Sequence, residues 1–419
     1  RAVRSLGFKA PMTQATETPA QPAEHRVAFP EFVVLIASMM ALTALSLDMM
    51  LPALPAIGGA FQLADPNDAQ LVIVVYLFGF AAGHLYAGPL SDRMGRKPIL
   101  MTGLGVYAVG SLMAAAAPDF TTLLIGRVIQ GLGAAAPRVV AIAVVRDRYA
   151  GRGMSRVMSF VMMVFIMVPV IAPTLGSGVL LVAPWRWIFG FLVLAGAGLA
   201  LWSALRLEET CPPGEPVPLW TAVKTMVTTP QSLGYTLAIG FMFGNLMTYV
   251  STAEQVFTRI YGLGQSFTLL FGAIAFAVVA ASFSNSRIVE KVGMRRVSHT
   301  ALLAYLVLCG GMAAFGFPAQ PPLWVYALFC AGTFFCFGHV VPNFNALAME
   351  PLGRVAGVGS SLVGFWMMAA GASFAGLVGA QFDGTVRPVT IGFTVLALCT
   401  LATVLVTERG RLFQVGENG

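Results

Sequence analysis

Charge is what this chain has least of. Only 10% of its 419 residues are Asp, Glu, Lys or Arg, against 57% that are hydrophobic. A soluble domain carries roughly 25% charged residues. So little charge excludes a surface facing water over most of the molecule and leaves lipid as the solvent. Cysteine is scarce too. Cys211, Cys309, Cys330, Cys336 and Cys399 include no C-x-x-C pair, and four of them lie in apolar runs. They read as small hydrophobes, which excludes a disulfide framework and a thiolate metal site. No segment carries paired His or Asp at metal-binding spacing, and no Ser-x-x-Lys or Gly-x-Ser-x-Gly element occurs. No metal, no cofactor and no enzymatic reaction is therefore expected. The net charge of +7 invites a nucleic-acid partner, but the cations sit in short clusters between apolar runs and build no basic face.

What is present is apolar sequence in lengths that cross a bilayer, about 20 residues each. Twelve runs qualify: 32–57, 70–90, 98–117, 121–145, 156–180, 185–206, 231–255, 266–288, 298–317, 322–347, 357–379 and 388–407. Helix is required, because a segment alone in lipid must satisfy its own backbone hydrogen bonds. Lys and Arg set the orientation. With both termini in the cytoplasm, only Arg186, Arg259 and Arg387 of the 25 Lys and Arg fall outside, and Arg127 and Arg138 lie within the fourth span. Residues 1–29, rich in Pro, Thr and Ala, read as a disordered cytoplasmic tail, with the initiator expected upstream of Arg1.

One loop occurs twice. Gly88-Pro-Leu-Ser-Asp92-Arg93-Met-Gly95-Arg96-Lys97 follows the second span, and Ser286-Arg-Ile-Val-Glu290-Lys291-Val-Gly293-Met-Arg295 follows the eighth. Aligned on the glycines, acid meets acid and base meets base. Six spans repeated with the same loop in the same place predict two six-helix bundles, 30–206 and 231–407, related by a pseudo-two-fold axis normal to the membrane. The linker is 207–230, where Trp220, Val223 and Val227 fit one side of a short interfacial helix or a plain loop. Residues 408–419 form a cytoplasmic tail.

The Gly88–Lys97 loop resembles the signature between helices 2 and 3 of the major facilitator superfamily, and Arg127-Val-Ile-Gln130-Gly131 resembles its helix 4 signature. Ala172-Pro173-Thr-Leu-Gly176-Ser177 is similar to the antiporter signature of helix 5, with small residues in place of both outer glycines. Asp48-Met-Met-Leu-Pro52-Ala-Leu-Pro55 and Trp185-Arg-Trp-Ile-Phe189 resemble the bicyclomycin and chloramphenicol resistance branch of the drug:proton antiporters. The resemblance covers about residues 30–407. It implies a monomeric exporter of small, mostly apolar drugs, driven by protons and seated in a bacterial inner membrane. An exporter or importer of one metabolite on the same fold stays open. A membrane sensor or scaffold is the remaining alternative, and no signalling domain is appended to support it.

Asp48 is the first candidate site, because a carboxylate inside a span is costly and marks a proton or substrate path. Pro52 and Pro55 follow it and loosen the outer end of the first helix. The second acid that relatives often carry earlier in this helix is absent, the stretch being Ala37-Ser38-Met39-Met40. Arg127 and Arg138 share one face of the fourth span, about 20° apart at about 100° per residue. At about 1.5 Å per residue, Arg127 is level with Asp48 and Arg138 lies about two turns deeper. Arg127 is thus expected to pair with Asp48 in proton coupling. Arg138 is expected either to meet an anionic or carbonyl-bearing substrate or to bond a helix carbonyl.

Tyr76, Asn245, Tyr249 and Met49 complete the expected substrate wall, Met being suited to an adaptable apolar pocket. The resemblance implies a conformational latch in Gly88, Asp92, Arg93, Gly95 and Arg96, with Asp92 capping the eleventh helix near Gly357 and meeting Arg146. An acid at a helix N-terminus is favourable by about 0.3–1 kcal/mol, enough to bias a rocking equilibrium. Pro169, Pro173 and Gly176 read as a seal between the halves. Glu254 is expected at a solvated helix end, with a transport role as the alternative. His339, Asn343 and Asn345 form a polar patch, in which the histidine is expected to be hydrogen-bonded or to carry a proton.

Overall fold

A computed structural model of the chain describes residues 27–149, 151–210, 218–314 and 320–414. It is helical throughout these residues. The elements are α1 (Phe29–Asp48), α2 (Leu54–Ala60), α3 (Leu71–Met94), α4 (Arg96–Ala115), α5 (Phe120–Arg148), α6 (Gly151–Val182), α7 (Arg186–Arg206), α8 (Leu219–Thr228), α9 (Pro230–Glu254), α10 (Phe267–Val292), α11 (Met294–Ala314), α12 (Leu323–Met349), α13 (Ala356–Gly379) and α14 (Arg387–Thr407). Among the described residues ten helical stretches are long and apolar enough to cross a membrane. With α6 and α11, which follow the fifth and ninth expected runs, they make twelve.

The starts of these helices follow from local chemistry. Asp119 precedes α5 and accepts from the Thr122 amide at 2.8 Å. That bond and one from the Thr122 hydroxyl hold its carboxyl below the usual range. Asp65 accepts from the Asn67 amide at 2.8 Å and opens a 3-10 turn, Pro66–Gln70, that leads into α3. Between α3 and α4, and again between α10 and α11, the chain turns on a glycine in the left-handed region, with φ +101° at Gly95 and +89° at Gly293. The two copies of the loop therefore share a backbone as well as a sequence, and in both places a side chain would be strained.

In the first half α5 packs between α3 and α4 and touches α1, α4 packs on α7, and α1 on α6. The second half repeats the scheme, with α9 against α12, α13 and α14, and α12 against α10 and α11. In lipid, helices associate by close packing and hydrogen bonds rather than by the hydrophobic effect. The contact of α5 with α3 shows this, since a Cβ at Gly131 would collide with the Tyr76 carbonyl. The halves meet where α3 runs along α13 and where α6 runs along α10. These are the second span on the eleventh and the fifth on the eighth, as a pseudo-two-fold requires.

Residues 1–26, 211–217 and 415–419, which hold most of the expected N-terminal tail, part of the linker and the end of the C-terminal tail, lie outside the described residues. The rest of the linker contains α8. Ala222 and Met226 of α8 are buried, while Trp220 is 74% exposed and Val227 is exposed beside it. The segment after α14 folds back, with the Phe413 amide donating to His299 Nδ1 of α11 at 3.2 Å.

Candidate substrate and proton site

The first span is broken where its acid stands. Asp48 is the last residue of α1, and a turn at Met49–Met50 and a 3-10 turn, Leu51–Ala53, separate it from α2. Pro52 and Pro55 begin the two segments after the break, where their missing amides cost least. The break packs against α6, where a Cβ at Gly176 would strike the Met49 carbonyl. Pro173 is buried on the same helix, and the side chain of Pro169 lies outside the described residues. The contact of Gly176 is thus with the break of the first span, inside the first half, and not with the second half as the expected seal requires.

Asp48 is 3% exposed and makes no ion pair among the described residues. The expected pair with Arg127 is therefore not formed. Arg127, fully buried, donates through Nε to the Val72 carbonyl at 2.9 Å and through Nη1 to the Ser46 carbonyl at 3.2 Å and Gln130 Oε1 at 2.5 Å. Its guanidinium lies 4.3 Å from the centre of the Tyr76 ring. Sequence depth was a sound guide, since Ser46 is only two residues from Asp48. The angle around the helix was not. Ser46 faces α4, its hydroxyl 2.7 Å from the Tyr107 hydroxyl. Two residues on, a side chain lies about 200° around the helix, which turns Asp48 away from α4.

Tyr76 is correspondingly not a cavity wall. It is fully buried, bonds the Thr43 carbonyl at 3.4 Å and supports Arg127. Met49 is also fully buried, its carbonyl under Gly176. The open space lies deeper, in a cavity of about 370 Å³ between the halves. Arg138 and Ile142 of α5, His84 of α3, Ile239 of α9, Asn345 of α12 and Met367 of α13 line it. Arg138 thus lines the cavity, as one of its two expected roles requires. His84 carried no distinctive signal in the sequence. It bonds the Phe80 carbonyl through Nδ1 at 2.9 Å and abuts α13 at Gly364.

On α9, Asn245 and Tyr249 are buried as one stripe. Both amide atoms of Asn245, the Tyr249 hydroxyl and the Thr248 hydroxyl have no hydrogen-bond partner among the described residues. Buried polar groups are almost always satisfied, and these four atoms are exceptions to that rule. Glu254, expected at a solvated end, is instead 2% exposed with Oε2 unpaired. A π-helical turn, Gln255–Ile260, continues the helix beyond it and keeps it covered. The expected patch on α12 divides. His339 binds Ser284 Oγ at 2.7 Å and the Phe335 carbonyl at 2.9 Å, and Asn343 donates to Asn285 at 2.8 Å, whereas Asn345 faces the cavity.

The two ends of the bundle differ. At one end Gln70 bonds Gln255, Gln255 donates to Asn67 at 2.9 Å, and Asn67 donates to the Phe382 carbonyl at 3.1 Å. These bonds join α3 and its leading turn to the second half and close that end. At the other end lie the residues expected to form a latch. Asp92 binds Arg96, four residues on, and Arg96 also holds Asp147 at 2.9 Å and Ser91 at 2.9 Å. The α5 residue in this cluster is thus the acid Asp147, next to the exposed Arg146. Arg93 is exposed. Gly88 lies against Ser361 of α13, where a Cβ would meet the hydroxyl. Glu209, just past α7, accepts from the Arg96 and Lys97 amides at 2.8 and 3.1 Å and caps α4. Its counterpart past α14 is Glu408, which binds Arg295 at 2.9 Å and the Tyr235 hydroxyl at 2.6 Å.

Twelve spans in two related bundles, with a cavity of mixed charged and apolar lining and an isolated acid between them, define a multi-pass membrane transporter. The chain belongs to the Major Facilitator Superfamily, whose family model matches residues 36–376. It is 33% identical over 386 residues to the MFS-type transporter YdgK of Bacillus subtilis, covering 89% of this chain and 94% of that protein. It is 30% identical over 391 residues to the bicyclomycin resistance protein homolog of Haemophilus influenzae, covering 90% and 96%. Its fold matches the xylose transporter XylE of Escherichia coli with a TM-score of 0.71 at 12% identity, over 93% of this chain and 99% of that one. The superfamily and the resistance branch read from the loop and helix motifs are thus matched by these relatives.

Proposed function

We propose that the protein is a proton-coupled antiporter that exports small, mostly apolar drugs from the cytoplasm by alternating access. In this reading the end bearing the Arg96 and Arg295 clusters is cytoplasmic, both termini lie there, and the chain works as a monomer in the cytoplasmic membrane. Residues 30–206 and 231–407 rock against one another about the linker 207–230. The observation that carries the reading is Asp48, a buried carboxylate at the break of the first span, on the boundary between the halves and without a cation. An intramembrane acid in such a place is by default a proton or substrate site.

The cycle needs only that proton and drug disfavour each other's binding. Drug enters the cavity from the cytoplasm with Asp48 ionised. The Gln70–Gln255–Asn67 bonds then part, a proton reaches Asp48 from outside, and drug leaves. Arg127, with its Nη2 unpaired and its guanidinium on the carbonyl of Ser46, is positioned to stabilise the ionised state as the broken tip moves. The name of the Haemophilus relative supports a drug as cargo.

The test is export in cells stripped of their own pumps. Wild type is expected to hold a fluorescent drug below its external concentration, and Asp48→Asn to let it equilibrate. Continued exclusion of drug by Asp48→Asn contradicts the proposal.

A further inference from the structure

The polar residues of α9 form a ladder. Asn245, Thr248, Ser251 and Glu254 recur at every third position, and none is more than 2% exposed. Residues three apart on a helix are neighbours, about 5–6 Å between Cβ atoms. Each step turns about 60° back around the axis, so the ladder winds half a turn while it descends about 14 Å. The fold does not use up its atoms. Oε2 of Glu254, Oγ1 of Thr248 and both amide atoms of Asn245 have no hydrogen-bond partner among the described residues. Ser251 donates to the Thr248 carbonyl at 3.1 Å, which leaves its own oxygen to accept. The outer rung, Glu254, adjoins Gln255, whose amide bridges the halves. A cavity of about 340 Å³ lies beside the π-helical turn just beyond, with Asp65 and Arg259 exposed at its rim. The ladder's own helix packs on Leu51–Ala53, the turn that follows Asp48. Arg259, five residues past Glu254, acts on it through its field but makes no ion pair with it. Among the described residues, neither Arg387 of α14 nor any other cation pairs with it. The acids at this end do not bond it either, since Asp65 is taken up by the Asn67 amide and Asp383 by Thr385.

We propose that Glu254 is the outer entry of a proton relay to Asp48, which runs along this ladder through bridging water. The inference rests on the antiport proposed above and names the route that reading leaves open. Glu254 takes a proton from the water outside and passes one to the water between it and Ser251. Each water and hydroxyl then hands on one proton as it receives another, and the last proton goes to the Asp48 carboxylate. Glu254 is left as a carboxylate, ready for the next proton, and the links between are unchanged. Two hydrogen bonds of about 2.8 Å through one water span each step, and buried water typically bonds polar groups that have no other partner. Asn245 offers a donor and an acceptor in one group and holds the last water in place.

The test uses full-length protein in proteoliposomes, with chloramphenicol as the drug and a pH dye inside. Two rates are compared: proton movement driven by a drug gradient, and exchange of labelled for unlabelled drug, which needs no proton step. Glu254→Gln is expected to lower the ratio of proton movement to exchange at least ~10-fold. Glu254→Asp is expected to recover part of that ratio, and Thr248→Val to lower it less than Glu254→Gln does. A structural role for Glu254 slows both rates together, and an unchanged ratio in Glu254→Gln overturns the proposal. If Glu254→Gln does not fold, Thr248→Val decides alone, and an unchanged ratio there overturns the proposal. Wild type without drug-driven proton movement sinks the proposed function. Wild-type proton movement that Glu254→Gln leaves intact sinks this inference and leaves the proposed function standing.

Discussion

The two ends of this bundle are held by different chemistry. At the end with Arg96 and Arg295, the ion pairs among the described residues do not cross between the halves: Arg96 with Asp92 and Asp147, Arg148 with Glu208 just past α7, Arg206 with Glu31, and Arg295 with Glu408 just past α14. At the other end, the bonds that cross between the halves run among Gln70, Gln255, Asn67 and a backbone carbonyl, all neutral. The difference is functional. Breaking a buried ion pair leaves an uncompensated charge, a cost of about 3–5 kcal/mol. Breaking a neutral hydrogen bond that water can replace costs about 0.5–1.5 kcal/mol. In the proposed cycle the buried Arg96 cluster would stiffen its half, the part-exposed pairs Arg206–Glu31 and Arg148–Glu208 would add less, and the amides would make a closure that opens at little cost.

The contrast can be broken from the charged side first. Arg96→Gln strands Asp147, 7% exposed, along with Asp92. It is expected to cost about 3–5 kcal/mol, seen as a large fall in melting temperature and in yield of monodisperse protein. Melting unchanged from wild type would show that the cluster is solvated and not structural. Glu408→Gln removes the acceptor of Tyr235 and Arg295 in the second half and is expected to cost less, about 1–3 kcal/mol. A larger loss than that of Arg96→Gln would reverse the order. Gln255→Ala is expected to leave melting within about 1 kcal/mol of wild type. Spin-label distances across that end should nevertheless shift toward the open form by roughly tenfold in population. Unshifted distances would remove the amides from the gate.

Much of the architecture was legible because it depends on local pattern. The spans follow from run length, and the repeat from Gly95 and Gly293, whose positive φ no other residue adopts as easily. Asp48 was legible because an acid in an apolar run has no ordinary reason to be there. The depth of Arg127 was legible from helical rise, but its partner was not. Rise along one helix says nothing of which way a residue faces on another. Glu209 and Glu408 look like ordinary acids at helix ends, and their roles come from residues more than 100 positions away. Gln70 and Gln255 carry no charge to single them out. Glu254 was misjudged because a π-helical turn extended the helix past the point where apolar run length ended it.

The central claim is that one acid exchanges its proton against drug, and purified protein in weakly buffered detergent with a pH dye tests it directly. Drug added to wild type should release about one proton per molecule bound, while Asp48→Asn binds drug and releases none. Equal proton release from both proteins would place the coupling elsewhere and contradict the account.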